Sequence, residues 1–318
     1  MRMVVAVGGN AIVKAGQAGT WEEQLANVRE IAAAVLALRA QGHEVVLTHG
    51  NGPQVGALML QQALGRREAP PLPLDALIAA TQGQIGYLLE SAFAALDPAV
   101  PIAVLLSRVL VDPDDPAFAD PTKPVGPFYT EEDARHRAET LGWDVAPDAG
   151  RGWRRVVASP HPLEVLGSEH AVALLERGTV VISCGGGGIP VARRGDEVVG
   201  VAGVIDKDRC SERLAVGVGA DALVLLTGVS RVALDFGTRW EREVGHLTVE
   251  DVQRGLREGQ FPAGSMGPKV ESAMRFVQES GRPAGALITS AERLVAAVAG
   301  DDGTWVVPEA VPQPPVAA

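Results

Sequence analysis

The 318-residue sequence predicts an α/β protein built on a mainly parallel sheet. Three observations carry that expectation. Short runs rich in Val, Ile and Leu alternate with segments of helical apolar spacing, the pattern of strand–helix–strand units. The runs read as buried strands, and several stop at glycine loops followed by a helix. Such an order puts ligand loops at the carboxyl ends of parallel strands.

Taken in order, residues 3–7 form the first strand and Gly8, Gly9, Asn10 and Ala11 the loop after it. Residues 21–39 place Leu25, Val28, Ile31, Ala32, Val35 and Leu38 at helical spacing, which ends at Gly42. A second strand at 44–48 runs into His49-Gly50-Asn51-Gly52-Pro53, where the glycines allow a tight turn and Pro53 suits the first turn of a helix. Residues 74–96 read as a long helix carrying Thr81-Gln82-Gly83-Gln84, and 102–111 as one further strand.

From 112 to 162 the periodicity fades and prolines become dense, so the segment is either a disordered excursion or a small subdomain. Phe128, Tyr129, Trp143 and Trp153, with a polar helix at 131–141, favour the subdomain. Residues 180–182 read as a buried strand that stops at four consecutive glycines, Gly185 to Gly188. Such a run has a high conformational-entropy cost and points to backbone brought close to a ligand. Next come a helix at 209–216, a strand at 222–227 and helices at 249–258 and 269–281, the last introduced by Gly264-Ser265-Met266-Gly267-Pro268. A strand at 286–289, a helix at 291–298 and a strand at 304–307 complete the sheet, and the final PEAVPQPPVAA is expected to be loose.

Composition removes several function classes. Aromatics make up 4% of the chain against 47% hydrophobic residues, so the core is aliphatic. A net charge of −11, with basic residues scattered outside 151–155, speaks against a nucleic-acid surface. Cys184 and Cys210 form no C-x-x-C pair and are expected to be free, buried thiols. The apolar amino terminus is interrupted by Gly8-Gly9-Asn10 and followed by Lys14, so it reads as strand and loop and not as a signal peptide. With no apolar run of about 18 residues, no membrane partner is expected and the location is expected to be cytoplasmic.

The motif search narrows the chemistry. Gly267-Pro268-Lys269 lacks the spacing and hydroxyl of a P-loop, and the G-x-G-x-x-A match at 217–222 precedes a strand instead of following one. Neither H-E-x-x-H nor G-x-S-x-G occurs, and the six histidines lie far apart. What remains is a set of glycine loops and four lysines. Backbone amides in such loops, backed by helix starts, form anion sites, and several together suit a polyanion such as a nucleoside triphosphate. Lys123, Lys207 and Lys269 sit beside Gly, Pro or Asp instead of on an amphipathic face, which favours a site over a solvated surface. Asp206-Lys207-Asp208 opens a helix, where an acid is ordinary capping but a lysine between two acids is not. His49 is expected to pack its loop. Phosphoryl transfer fits this inventory, because it needs positioning and cations around the migrating group. An acceptor that is already an oxyanion needs no general base.

GGGGIPV followed by VIDKD is similar to the carbamate kinases, a branch of the amino acid kinase family, and the remaining motifs extend the resemblance over nearly the whole chain. It implies a three-layer αβα fold with a mainly parallel central sheet. Residues 1–215 would form an acceptor lobe bearing a protruding subdomain at 113–162, and 216–318 a nucleotide lobe. It implies reversible transfer between ATP and carbamate, with ATP formed from carbamoyl phosphate and ADP, a role in arginine metabolism, Mg²⁺ with no protein ligand named, and a homodimer.

The resemblance also assigns roles. Gly8, Gly9 and Asn10 would lie at the transferred phosphate, and Gly50, Asn51 and Gly52 at the acceptor. Asp208 would organise the catalytic lysines Lys207 and Lys269, and Lys123 in KPVGPF would come from the subdomain. The nucleotide side would draw on Gly185, Gly186, Gly187, Thr227, Met266 and Lys269. DAGRGWRRVV, with Arg151, Arg154 and Arg155, would close near the same site, with Arg155 on the substrate. The chain departs from the pattern at Ala202, at Arg209-Cys210-Ser211 and from Gly228 to Ala233, where nucleotide affinity and base preference are set. A kinase for another small acid, such as an acylamino acid, shares this fold, and a nucleotide-binding regulator without activity is the reading from another class.

Overall fold

The structure, a computed structural model, describes residues 1–14, 16–148, 152–262 and 264–308. Among them are seventeen strands and ten α-helices. β1 (Arg2–Val7) leads through the single turn α1 (Gly9–Ile12) to α2 (Trp21–Ala40), and β2 (Glu44–His49) leads to α3 (Gly52–Gly65) and α4 (Leu74–Leu96). There follow β3 (Ile102–Val104), β4 (Arg108–Val111), β5 (Lys123–Tyr129), α5 (Glu131–Leu141), β6 (Val145–Pro147), β7 (Trp153–Val157) and β8 (Pro162–Leu166). Then come α6 (Ser168–Leu175), β9 (Val180–Ile182), β10 (Ile189–Arg194), β11 (Glu197–Gly200) and α7 (Lys207–Gly217). β12 (Ala222–Thr227), β13 (Val232–Leu234), β14 (Arg242–Val244), β15 (His246–Thr248), α8 (Val249–Arg257), α9 (Met266–Glu279), β16 (Gly285–Ser290), α10 (Leu294–Ala299) and β17 (Thr304–Val307) complete the described chain.

Eight strands form the central sheet in the order β15-β17-β16-β12-β1-β2-β9-β3, parallel throughout except between β16 and β17. Successive side chains of a strand face opposite ways, so each strand feeds two cores. Val4, Ala6, Val46, Val181, Leu223 and Leu225 face one layer, packed against α6 to α9 through Ala171, Leu214, Val252 and Phe276. Met3, Val5, Val7, Val45, Leu47 and Val224 face the other, against α2, α4 and α10 through Ile31, Leu88 and Leu294. Residues 3 to 7 are fully buried, each large side chain contributing roughly 1.5–3 kcal/mol by leaving water. The architecture is thus the expected three-layer α/β arrangement.

Local signals explain the helix starts. Thr20 and Glu23 form a capping box at α2, and Thr248 and Asp251 another at α8. The helix expected from residue 269 begins three residues earlier, at Met266. The strand expected over 102–111 is two strands in two sheets. β3 closes the central sheet beside β9, whereas β4 joins the four-stranded sheet β11-β10-β4-β8. Ser107 makes the break: its N–H donates to Gln82 Oε1 at 2.8 Å and its hydroxyl accepts from Cys184 N at 2.9 Å, which takes it out of the ladder.

The segment after β4 is folded. β5, β7 and β6 form a three-stranded antiparallel sheet with α5 beside it, and Tyr129, Trp143 and Trp153 pack there with arginines. This arm lies against α3, where a Cβ on Gly56 would stand 2.0 Å from Gly126 Cα. The looseness expected beyond residue 308 lies outside the described residues. Among these, no helix is long and apolar enough to cross a membrane.

Gly56→Ala is expected to force the arm from α3 and lower stability by about 1–3 kcal/mol, the usual cost of overpacking. The urea midpoint measures it. An unchanged midpoint would mean the arm swings away from α3 at no cost.

Candidate active site

β1, β2, β9, β12 and β16 end on one edge of the central sheet, and each runs into a polar or glycine-rich loop there. Sequence order runs outward from β1 both ways, through β2 and through β12, so this edge holds a topological switch point, where open α/β sheets bind ligands. A cleft of about 870 Å³ lies along it. Gly8 and Gly9 meet Gly50, Asn51 and Gly52 on one wall, Thr227 and Gly228 lie at the end of β12, and Lys123 approaches from the arm. A Cβ on Gly50 would stand 3.1 Å from Gly9 N, so the first two loops are pressed together and a side chain there would need Gly9 to give by a few tenths of an ångström.

The floor carries the charged groups. Lys207 opens α7, Lys269 lies in the first turn of α9, and these helices pack side by side. Asp208 sits between them: Oδ1 accepts from Lys207 Nζ at 2.5 Å and Oδ2 from Lys269 Nζ at 2.9 Å. Burial by itself would raise the Asp208 carboxyl, but the two ammonium groups hold it below its ordinary value. Burial lowers the Lys207 ammonium, Asp208 opposes that shift, and Lys269 adds to it. Asp206 caps α7 by accepting from Asp208 N at 2.9 Å, and its other oxygen accepts from Lys123 Nζ at 2.5 Å. Burial works to raise Asp206 too, but Lys123, Lys207 and the Asp208 amide bring it well below the carboxylate range.

The structure sets several of the expected residues back from the cleft. Of the glycine string only Gly186 lines the cleft; Gly185 and Gly187 do not. Each glycine instead answers a close approach of protein to protein. A Cβ at Gly185 would lie 2.4 Å from His49 Nε2, at Gly186 2.2 Å from Asn51 Nδ2, at Gly187 2.3 Å from Ile205 O and at Gly188 2.1 Å from Val109 Cγ2. Gly186, Gly187 and Gly188 also take positive φ. Met266 packs into the apolar layer beside α9 and leaves the cleft to Gly264, Ser265, Pro268 and Lys269.

Arg155 is turned away as well, its guanidinium lying 4.8 Å from the Trp143 ring centre. Neighbouring residues of β7 face opposite sides, so it is Arg154 that reaches the cleft, donating to Gly126 O at 3.0 Å and Asp148 Oδ2 at 3.1 Å. Arg151 and the side chain of Asn10 lie outside the described residues.

Sequence reasoning missed two supports. Gln82 on α4 donates to Gly185 O at 3.0 Å and accepts from Ser107 N, so it carries the glycine string. Its neighbour Thr81 accepts from Asn51 Nδ2 at 2.9 Å, which fixes that loop. Two polar residues on the buried face of an apolar helix were the available signal. Asp206 was visible as a helix cap, but its partner Lys123 is 83 residues away. His49 is buried with Nδ1 3.1 Å from Gly50 O. Burial lowers its pKa to about 4 against the pull of that carbonyl, so the ring is neutral and acts in packing. Cys184 and Cys210 are free and buried, as expected.

Lysines and glycine loops gathered on the carboxyl edge of a parallel sheet, with no nucleophile–base pair among them, define a phosphotransferase site. The model of the amino acid kinase family matches residues 1–285. A carbamate kinase of Thermococcus kodakarensis is 47% identical over 97% of this chain and 99% of its own length, and carbamate kinase 1 of Enterococcus faecium is 46% identical over 95% and 96%. The solved carbamate kinase of Giardia lamblia bound to AMP-PNP superimposes with a TM-score of 0.88 at 38% identity, covering 97% of this chain and 98% of that one. The chain belongs to the amino acid kinase family, and within it to the carbamate kinases.

His49 gives a testable pH dependence. The folded ring stays neutral down to about pH 4, whereas the ring in the unfolded chain takes a proton below about 6.5. Between these values the unfolded state binds more protons, so stability falls as pH falls through the window. The full gap corresponds to about 3 kcal/mol. His49→Gln is expected to flatten the dependence of the denaturation midpoint on pH between 6.5 and 4, and an unchanged slope would assign the titration elsewhere.

Proposed function

We propose that the protein catalyses reversible phosphoryl transfer between ATP and carbamate, forming ATP from carbamoyl phosphate and ADP. The observation that carries this is Asp208 held between Lys207 and Lys269 at the sheet edge, in a chain whose relatives bear the name carbamate kinase over nearly their full length. An ammonium about 4 Å from a phosphoryl oxygen is worth about 4 kcal/mol at an effective dielectric near 20. Lysines therefore supply the charge stabilisation that a loose phosphoryl transition state calls for. Carbamate attacks through an oxygen that is already anionic, so His49, buried and neutral beside Gly50, is not needed as a base.

We place the acceptor between Gly8, Gly9, Gly50, Gly52 and the arm, and the nucleotide toward Thr227, Gly228 and the start of α9. Residues 1–215, with the subdomain at 113–162, then serve the acceptor and 216–318 the nucleotide. Arg154, not Arg155, is the arginine positioned to meet the substrate. For Mg²⁺ the nearest carboxylates do not fit: both oxygens of Asp206 and of Asp208 are engaged by lysines or amides. Among the described residues no cluster of three or more His, Cys, Asp or Glu could hold a metal. No step is assigned to the ion. A cytoplasmic homodimer serving arginine metabolism completes the proposal, on the strength of the resemblance; gel filtration tests the dimer.

An assay with ADP and carbamoyl phosphate tests the reaction, and turnover confined to another acyl phosphate would move the acceptor assignment. Asp208→Asn leaves both lysines without their anchoring charge and is expected to lower turnover by on the order of 10²-fold with the fold intact. Near-normal turnover in a folded variant would remove the organising role.

The nucleotide end makes a separate prediction. Gly228 and Val229 are exposed just past β12, and Gly228 has no side chain to offer a base. GTP or ITP is expected to replace ATP within about tenfold, or roughly 1.4 kcal/mol. Strict ATP selectivity at saturating carbamate would contradict this.

A further inference from the structure

Asp206 is the residue on which three parts of the site meet. Its Oδ1 accepts from Asp208 N at 2.9 Å and from Arg209 N at 3.4 Å, capping the helix that carries Lys207 and Asp208. Its Oδ2 accepts from Lys123 Nζ at 2.5 Å. Lys123 is the first residue of β5, so this bond ties the three-stranded arm to the floor of the cleft. The arm has other anchors of a different kind: the glycine contact with α3, the Val204 N–H donating to Ala158 O at 2.8 Å, and the apolar contacts of Val125 and Val157 with Val55, Ile78 and Val204. None of these is an ion pair. Pro124 and Pro127 stiffen the backbone around the lysine, so the ionic contact decides where its ammonium stands.

We propose that Asp206 is a positioning residue that latches the arm over the cleft through Lys123 and presents that ammonium to the transferred phosphoryl group. An ammonium has three donors, so Lys123 can keep Asp206 with one N–H and offer another to a phosphoryl oxygen. The latch is thus made before substrate arrives and is not broken by it. Asp206 itself touches no reacting atom. The part of the proposal that concerns the phosphoryl group rests on the function proposed above; the part that concerns the arm does not.

The substitution that separates the two duties is Asp206→Asn, because asparagine is as good a helix cap as aspartate but has no charge for Lys123. Hydrogen exchange on the ligand-free protein is the first readout. Amides of β5 and β7 are expected to exchange about tenfold faster in Asp206→Asn while those of α7 keep their protection. Lys123→Ala should give the same change and the double variant no more, since both remove one contact. Unchanged exchange in the arm, or loosening of α7 together with the arm, would overturn the latch.

Steady-state kinetics is the second readout. Asp206→Asn is expected to lower kcat about tenfold with the dissociation constant for ADP changed less than about threefold, and to cost nothing further in the Lys123→Ala background. An equal loss in both backgrounds would show that Asp206 acts independently of the lysine. Should the wild type fail to use carbamoyl phosphate, the function proposed above falls, and hydrogen exchange still decides the latch.

Discussion

The site depends on a carboxylate that shares its two oxygens between two lysines. Withdrawing charges from water is costly, and a carboxylate left alone at the position of Asp208 would take up a proton or disrupt the packing around it. Lys207 and Lys269 make its burial tolerable, and it in turn keeps two ammonium groups within reach of each other in spite of their repulsion. With Asp206 and Lys123 added, the floor holds three positive and two negative groups. That near balance lets the cluster exist before any ligand arrives, and the single surplus charge sets its preference for anions. α7 and α9 are positioned to serve it, because residues 61 apart in sequence meet only if those helices lie side by side on one face of the sheet.

The packing around the cluster follows the same economy of space. Four glycines in succession could have been a phosphate cradle, but each is occupied from a different side by a protein group: an imidazole, an amide, a carbonyl oxygen and a valine methyl. Three of the four also adopt left-handed backbone. The string is a crossing point where β9 leaves the central sheet for β10, pressed between Gln82, Asn51 and Ile205. It therefore acts on the site through the loops it supports more than through its own amides.

Much of this was legible in the sequence, for reasons that differ by residue. The strands at 180–182, 222–227 and 304–307 lie where expected because their β-branched and aliphatic runs end at serine, glycine or proline, which do not extend them. The break at Ser107 was not legible, since its cause is a glutamine side chain on a distant helix and not a local breaker. Lys123, Lys207 and Lys269 stood out because the chain is otherwise poor in lysine. That Arg154 and not Arg155 lines the cleft was not legible, because adjacent arginines on a strand differ only in the face they take, and short alternating runs do not reveal which face meets the cleft. The protein groups pressed against the four glycines were not legible, because sequence shows the need for a missing Cβ but not what stands in its place.

The pairing of β1 with β12 has a mechanical consequence. Met3 to Ala6 lie in register with Ala222 to Leu225, so the strands on either side of the cleft belong to one hydrogen-bonded slab. Neighbouring strands keep a spacing of about 4.8 Å. The distance between the loop after β1 and the loop after β12 is thereby a property of the sheet, and it cannot stretch without tearing a ladder. The sheet works as a ruler: it leaves the two loops little freedom to drift apart.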